Sequence, residues 1–514
     1  MHLPHPHASV PPRARTPVSG NELPPLRLGT ASPRPGSGGF NSPLVRVGTP
    51  DRDSFWQLKG VFRVISSKMF DPASVSFVYD KIIAVHGPSG VILSVDDMPS
   101  DLVLKSTDVD LRGMTVLPGL IDAHVHLFLH TYGETSWAEQ TTSETIVERT
   151  VRATNHARRT LMAGFTAVRD LGTEGAQDSD TALRACISKP QCLIPGPRYF
   201  IANRAIVSTG SYGPRSNLWL DREGVEGFLG AEAVDGIEAC RKAVRRQHGA
   251  GADWIKIYGD YRVKARQLPS MESMDSFPVF SREEMKVMID TAHTLGTRVA
   301  VHAINESTVL TAIELGADTI EHGSLLTSRG LDELENTKTI WNPTLSVVVT
   351  NKDTVGKPYF DNVIANFKAV VDRAVAGKMR LAVGGDTGPY PHGNNALELQ
   401  LMHKYGAPPL HVLRWATMGN WEAIRGMYWE GQTGEDKLKK LSSLSNNELV
   451  RFTNSAGDNG VPLGQLRRGF AADIIAVAGD VEQDFERAIS SDSVKFVMKA
   501  GTVYKRDGVP TLQP

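Results

Sequence analysis

Apolar and polar positions along this chain follow two different periods, and they change over twice. Near the start, Leu58–Ile65 and Val75–Val85 are dense in β-branched and aromatic residues, and Gly87, Pro88 and Gly90 end the second run. Both predict strands. Asp473–Val477 and Val494–Tyr504 have the same texture at the other end. Between these ends, short apolar runs alternate with amphipathic stretches. The predicted strands are Leu120–His126, Thr166–Asp170, Arg198–Asn203, Trp254–Tyr258, Arg298–His302, Thr319–His322, Thr339–Leu345 and Arg380–Gly385. Helices are predicted between them. Thr145–Ala163 carries Ile146, Val147, Val151, Ala157 and Leu161 near helical spacing, and Ser281–Leu295 opens with Ser281 and Glu284 in the capping-box relation. Eight strands each followed by a helix predict an α/β chain with a (β/α)8 TIM barrel. On pattern alone, a doubly wound sheet is the alternative. The β-rich ends predict a small β-sandwich domain assembled from both termini.

This pattern divides the chain into residues 51–115 and 463–514 for the composite sheet domain, and 116–429 for the barrel, whose last helix starts at Asn420–Gly426. Residues 430–462 turn polar, with Lys437, Lys439, Lys440, Ser442, Ser443 and Ser445, and read as a surface insertion. Composition changes the picture at the N-terminus. Residues 1–50 hold 11 of the 30 prolines, five arginines and one acid, Glu22. Proline removes backbone donors, and too few large apolar side chains are present to offset ordering entropy, so a disordered tail is expected. An acid-poor tail with arginines also allows organelle targeting, although its prolines oppose the amphipathic helix that transit peptides use.

The 514 residues carry a formal net charge of -1. Without a global basic field, neither nucleic acid nor an anionic membrane is an expected partner. No apolar run is long enough for a transmembrane helix, and no secretory core opens the chain. Cys186, Cys192 and Cys240 form no CxxC pair and read as buried thiols of a reducing, cytoplasmic compartment.

Chemistry concentrates at predicted strand ends. In Val116-Leu-Pro-Gly-Leu-Ile-Asp-Ala-His-Val-His126, alternation puts Asp122, His124 and His126 on one face. Lys256 lies between Ile255 and Ile257, where burial is costly without partners. His302 and His322 end the fifth and sixth strands, and Asp386 follows Gly384-Gly385 at the eighth. In a parallel barrel all these ends form one face, where active sites sit. Singly, each residue also fits a core or capping role; together they suit a divalent metal.

With these motifs the chain resembles the amidohydrolase superfamily of metal-dependent hydrolases. Within it, the chain is similar to the imidazolonepropionase-like and prolidase-like group that includes Xaa-Pro dipeptidases and ochratoxin amidase. The resemblance rests on residues 118–126, Ala252-Asp-Trp-Ile-Lys256, Val301-His-Ala303, Ile320-Glu-His-Gly323, Gly384-Gly-Asp-Thr387, and the trailing segments 464–474 and 497–501. It implies two divalent ions, zinc by preference. His124, His126 and Asp386 hold one, His302 and His322 the other, and a carboxylated Lys256 bridges them. It further implies cleavage of a small-molecule amide (dipeptide-like, N-acyl amino-acid or cyclic) by a metal-bridged hydroxide, with Asp386 as catalytic proton acceptor. Asp122 and Glu321 would support the ligands. Tyr258, Arg262, Tyr212 and His392 are the candidate substrate contacts, Arg262 through its fit to a carboxylate. By analogy with the family, a homo-oligomer is also expected. Two other readings stay open: a mononuclear deaminase or imidazolonepropionase-type hydrolase, and a non-catalytic barrel scaffold.

Overall fold

A computed structural model describes residues 58–189, 192–212, 230–261 and 276–511. The proline-rich tail and Arg262 lie outside the described residues. Among those described, no helix is long and apolar enough to cross a membrane. Cys240 is buried, but Cys186 is half-buried and Cys192 exposed, so the expectation of three buried thiols holds for one.

The chain is α/β. Its two ends pair in a nine-stranded sheet, ordered Val509–Pro510, Thr502–Arg506, Val494–Lys499, Ile474–Val477, Thr115–Pro118, Val61–Asp71, Ser76–His86 and Val91–Asp97, with Val109–Asp110 beside Val61–Asp71. The join is antiparallel, with Ile474 opposite Pro118 and Val477 opposite Thr115. Alternation explains why this sheet is apolar on both faces. Ile474, Ala476, Phe496 and Met498 turn toward Phe62, Val64, Ile83 and Val85. Ile475, Val477 and Val497 turn the other way, into the largest core cluster. Val91–Asp97 and Thr115–Pro118 are strands that the apolar pattern did not single out, and Val494–Tyr504 is two strands broken by Ala500 and Gly501 at positive φ.

The middle of the chain forms two parallel sets of strands. Leu120–Val125, Phe165–Asp170 and Arg198–Ile201 are one, in that order. The other contains Trp254–Tyr258, Arg298–Asn305, Thr319–Leu325 and Ile340–Asn342, with Ile206–Val207 and Glu232–Ala233 on its first edge. Hydrogen bonds link the sets at both margins. Asp253 N–H donates to the Ile201 carbonyl, 2.8 Å, and Ala123 N–H to that of Val383, 2.9 Å. On these strands Ile255, Ile257, Val299, Val301 and Ile320 pack on helix residues such as Met285, Met288, Ile289 and Val309. Trp254 and Ala300 gather on the opposite side with Leu171 and Ala202.

Two predicted strands shorten for local reasons. Thr339–Leu345 keeps only Ile340–Asn342, because Pro343 lacks a donor and Thr344 turns to φ 49° before a helix from Leu345. Arg380–Gly385 keeps one bridge, Leu381 with Trp341. Backbone bonds to Trp341 and Ala123 persist, but Val383 is shared with the Asn420 side chain, which accepts from its N–H at 2.8 Å and donates to its carbonyl at 2.7 Å.

The helix Ile146–Met162 is capped by Thr145 and buries Ala153, Ala157 and Leu161, leaving Ile146, Val147 and Val151 exposed. Arg282–Thr294 carries the predicted Ser281–Glu284 capping box. The polar 430–462 segment contains helices Gly431–Ser443 and Asn446–Ala456, which bury Leu441 and Leu449 beside Trp421, Trp429 and Phe470.

Candidate metal centre

Parallel strands deliver the metal-competent side chains to one place. Donor atoms of His124, His322 and Asp386 all lie within 4.8 Å of one another. His126 Nε2 is 3.1 Å from Asp386 Oδ1, and the His302 and His322 rings are 4.6 Å apart. Lys256 Nζ sits 5.4 Å from the centre of the Tyr258 ring, which stacks on His302 at 4.6 Å.

Close backbone approach makes this packing possible. A Cβ on Gly384 would lie 2.5 Å from His124 N, so the Asp386 segment reaches His124 only because residue 384 has none. His322 and Asp386 adopt φ of 75° and 60°. Non-glycine residues rarely do so, at a cost of about 1–3 kcal/mol each, and such strain gathers at functional sites.

The histidines are oriented from behind. His124 Nδ1 meets Glu321 Oε2 at 2.8 Å, His126 Nδ1 meets the Gly172 carbonyl at 2.7 Å, and His322 Nδ1 meets Thr344 Oγ1 at 2.8 Å. A donor N–H at Nδ1 leaves the Nε2 lone pair free for a ligand. Glu321 is itself fully buried and accepts from Arg169, 2.7 Å, Thr319, 2.6 Å, and Asn342, 2.8 Å. Asp122 accepts from His124 N–H at 3.0 Å and from Asn395 at 2.8 Å, and burial pushes its carboxyl up to about 7.

Protonation follows from burial and these neighbours. Burial pushes His322 down to about 3 and also lowers His124 and His302, so these rings are neutral and able to ligate at pH 7. Burial pushes Lys256 down to about 8. For Asp386 burial acts upward, but the imidazoles of His124, His126 and His322 outweigh it and hold the carboxyl below the usual range. His126, lowered by burial, is carried up to about 9 by its contact with Asp386.

A fit test for metal lies in the unpaired atoms. Among the described residues, Lys256 Nζ and His302 Nε2 are buried polar atoms with no hydrogen-bond partner. Leaving two such atoms unpaired is costly, and they face a group of imidazoles and a carboxylate. The donor set suits a divalent ion with a preference for nitrogen and oxygen ligands.

The other predicted contacts divide. Tyr258 and Tyr212 join the site's rim, with ring centres 4.7 Å apart. His392 is held against the backbone instead, Nε2 on the Leu129 carbonyl at 2.8 Å and ring stacked on His156 at 4.3 Å. Sequence reasoning did not single out Arg169, Thr344, Asn342 or Glu174. Arg169-Asp170 did carry a signal, since two adjacent charges end an apolar strand; Asn342 and Thr344 carried none.

The chain is similar to several known proteins. The chain is 26% identical over 455 residues to ochratoxinase from Aspergillus niger, covering 84% of this chain and 83% of that protein. The crystal structure of that ochratoxinase superposes with a TM-score of 0.68 at 21% identity, covering 88% of this chain and 97% of the other. A Xaa-Pro dipeptidase with methionine bound in its active site superposes at 0.67 with 24% identity, covering 87% and 100%. These structural likenesses show a shared fold. Residues 115–426, the span that carries all six clustered side chains, match the amidohydrolase family, and the chain belongs to that family.

Proposed function

We propose that this hydrolase of carbon–nitrogen bonds is a binuclear, metal-dependent amidase acting on a dipeptide-like, N-acyl amino-acid or cyclic amide substrate. The observation that carries the reading is the buried pair of atoms without a hydrogen bond, Lys256 Nζ and His302 Nε2, beside the His124–His322–Asp386 group. In this reading the parallel strands form a (β/α)8 barrel, supported by the Ala123–Val383 hydrogen bond and the Trp341–Leu381 bridge between its margins. The paired ends form a composite sheet domain assigned to 51–115 and 463–514, and the helices of 430–462 are an insertion before the last strands.

His124, His126 and Asp386 would hold one ion and His302 and His322 the other, and zinc suits these ligands. Lys256, whose lowered pKa makes a neutral amine available, could add carbon dioxide with release of a proton and would then offer carbamate oxygens to the ions. When bound, the ions lower the pKa of water and polarise the scissile carbonyl. Asp386, ionised in its imidazole surroundings, takes the proton of the attacking water and passes it to the leaving nitrogen. Tyr258, whose hydroxyl is only loosely held 3.5 Å from Glu174, turns to donate to the carbonyl oxygen. Glu321 and Asp122 keep the ligands oriented.

The test is metal analysis of active protein alongside Lys256→Ala. Two equivalents per chain, and a variant that loses metal and turnover, support the binuclear reading. One equivalent, with Lys256→Ala still active, overturns it in favour of a mononuclear hydrolase built on His124, His322 and Asp386.

A further inference from the structure

Beside the metal-competent cluster lies a second constellation that the mechanism leaves unused. Glu174 follows the strand Phe165–Asp170 and is buried, 3% exposed. Its backbone is held at φ 51°, an uncommon conformation for a non-glycine residue. Aromatic side chains surround the carboxylate. Trp137 Nε1 donates to Oε2 at 3.0 Å, and the Tyr212 hydroxyl donates to the same oxygen. The Tyr258 hydroxyl reaches Oε1 only at 3.5 Å. The ring centres of Trp137 and Tyr212 are 5.4 Å apart, and those of Tyr212 and Tyr261 5.1 Å.

Arg149, Lys256 and His126 attract this carboxylate only from a distance. A buried carboxylate is normally matched by a cation. Among the described residues, no lysine, arginine or histidine forms an ion pair with Glu174. Arg149, the nearby buried guanidinium, gives Nε and Nη2 to the Phe128 and Thr173 carbonyls at 3.1–3.2 Å, and its Nη1 makes no hydrogen bond to Glu174. Oε2 of Glu174 accepts two hydrogen bonds, and Oε1 accepts a single long one from Tyr258. Aromatic faces around a carboxylate are the chemistry that recognises an organic cation: the carboxylate accepts N–H bonds, and the ring faces attract the positive charge. A single tyrosine, Tyr258, separates this carboxylate from Lys256. A cation bound here would belong to the molecule whose amide lies over the metal ligands.

We propose that Glu174 binds an ammonium group of the substrate, so that the enzyme selects amides with a free amine over their N-acylated counterparts. The inference rests on the amidase reading above and narrows its substrate class. The ammonium has two possible sources, the α-amine of an aminoacyl amide or a side-chain amine.

The experiment compares metal-loaded wild type and Glu174→Gln on three amides: a leucyl amide, its N-acetyl form, and an Nα-acetyl-lysyl amide. The wild type should favour at least one ammonium-bearing amide over N-acetyl-leucyl amide. In Glu174→Gln that preference, measured as a ratio of kcat/KM, should fall about tenfold or more, mainly through KM, as expected for a lost charge-assisted bond. The leucyl and lysyl arms show which amine is read. Trp137→Phe, which removes one donor to the carboxylate, should lower the same ratio by a smaller factor and serves if Glu174→Gln does not fold. A ratio unchanged by both variants overturns the proposal while leaving the amidase reading intact. If wild type cleaves none of the three, binding decides: calorimetry with leucinol and N-acetylleucinol should show preference for the amine, and equal or absent binding of the two overturns it.

Discussion

Replacing Glu321 with glutamine tests the support of the centre most directly. Glu321 and Arg169 are both fully buried and meet at 2.7 Å. The four donors around Glu321 divide evenly. Arg169 Nη2 and Thr319 Oγ1 serve Oε1, while His124 Nδ1 and Asn342 Nδ2 serve Oε2. An amide keeps the shape but loses the charge, and its NH2 cannot accept. Whichever way it turns, two donors face a donor. Arg169 loses its buried counter-charge, a class of change that costs about 3–5 kcal/mol. If the NH2 faces His124, the ring relieves the clash by moving its proton to Nε2. That nitrogen lies 3.5 Å from Asp386 Oδ1, and once protonated it is closed to a metal. Metal affinity should then fall about 10–100-fold. Glu321 lies well below the usual carboxylate range, burial being outweighed chiefly by Arg169, so its contribution to stability is present at pH 7 and fades only as acid protonates it. Urea unfolding in chelator at pH 7 reads the first effect, and zinc titration of the folded variant reads the second. An unfolding free energy within about 1 kcal/mol of wild type, with unchanged zinc affinity, would refute the reasoning.

Asp386→Asn should fold and retain part of its metal while losing most turnover, because the amide takes no proton; near-wild-type kcat removes Asp386 from the proton path. Gly384→Ala would place a methyl 2.5 Å from His124 N and 2.7 Å from Asn342 Nδ2, so metal content should drop, and full occupancy would argue against that close approach. His293 meets Asp318 at 2.9 Å, and this hydrogen bond raises its pKa. Its stabilisation is therefore complete below the unfolded value of about 6.5 and is lost as pH rises through the raised one. His293→Ala should cost more stability at pH 5.5 than at pH 8.5, and equal urea midpoint shifts at both would contradict the assignment.

Much of the centre was legible because it obeys local rules. Period-two alternation aims His124 and His126 alike, and places Lys256 between Ile255 and Ile257, which pack against helices. Capping at Thr145 and Ser281 set the helix starts where the pattern put them. The same reasoning overextended Thr339–Leu345 and Arg380–Gly385. In the first, a proline and a left-handed threonine end the strand; in the second, a side chain distant in sequence takes the Val383 N–H and leaves the ladder a single bridge.

What the sequence by itself determined, then, is which metal-competent side chains lie at or just past strand ends, since strand periodicity and side-chain chemistry are local properties. Only the tertiary structure decided what holds them and what surrounds them. Arg169 reaches Glu321 across 152 positions, Glu321 reaches His124 across 197, and Asn395 reaches Asp122 across 273. The Glu174 pocket likewise draws on Trp137, Tyr212 and Tyr258 from separate elements. Buried charge is tolerable only where a partner arrives, and partners arrive by folding, which no spacing along the chain records.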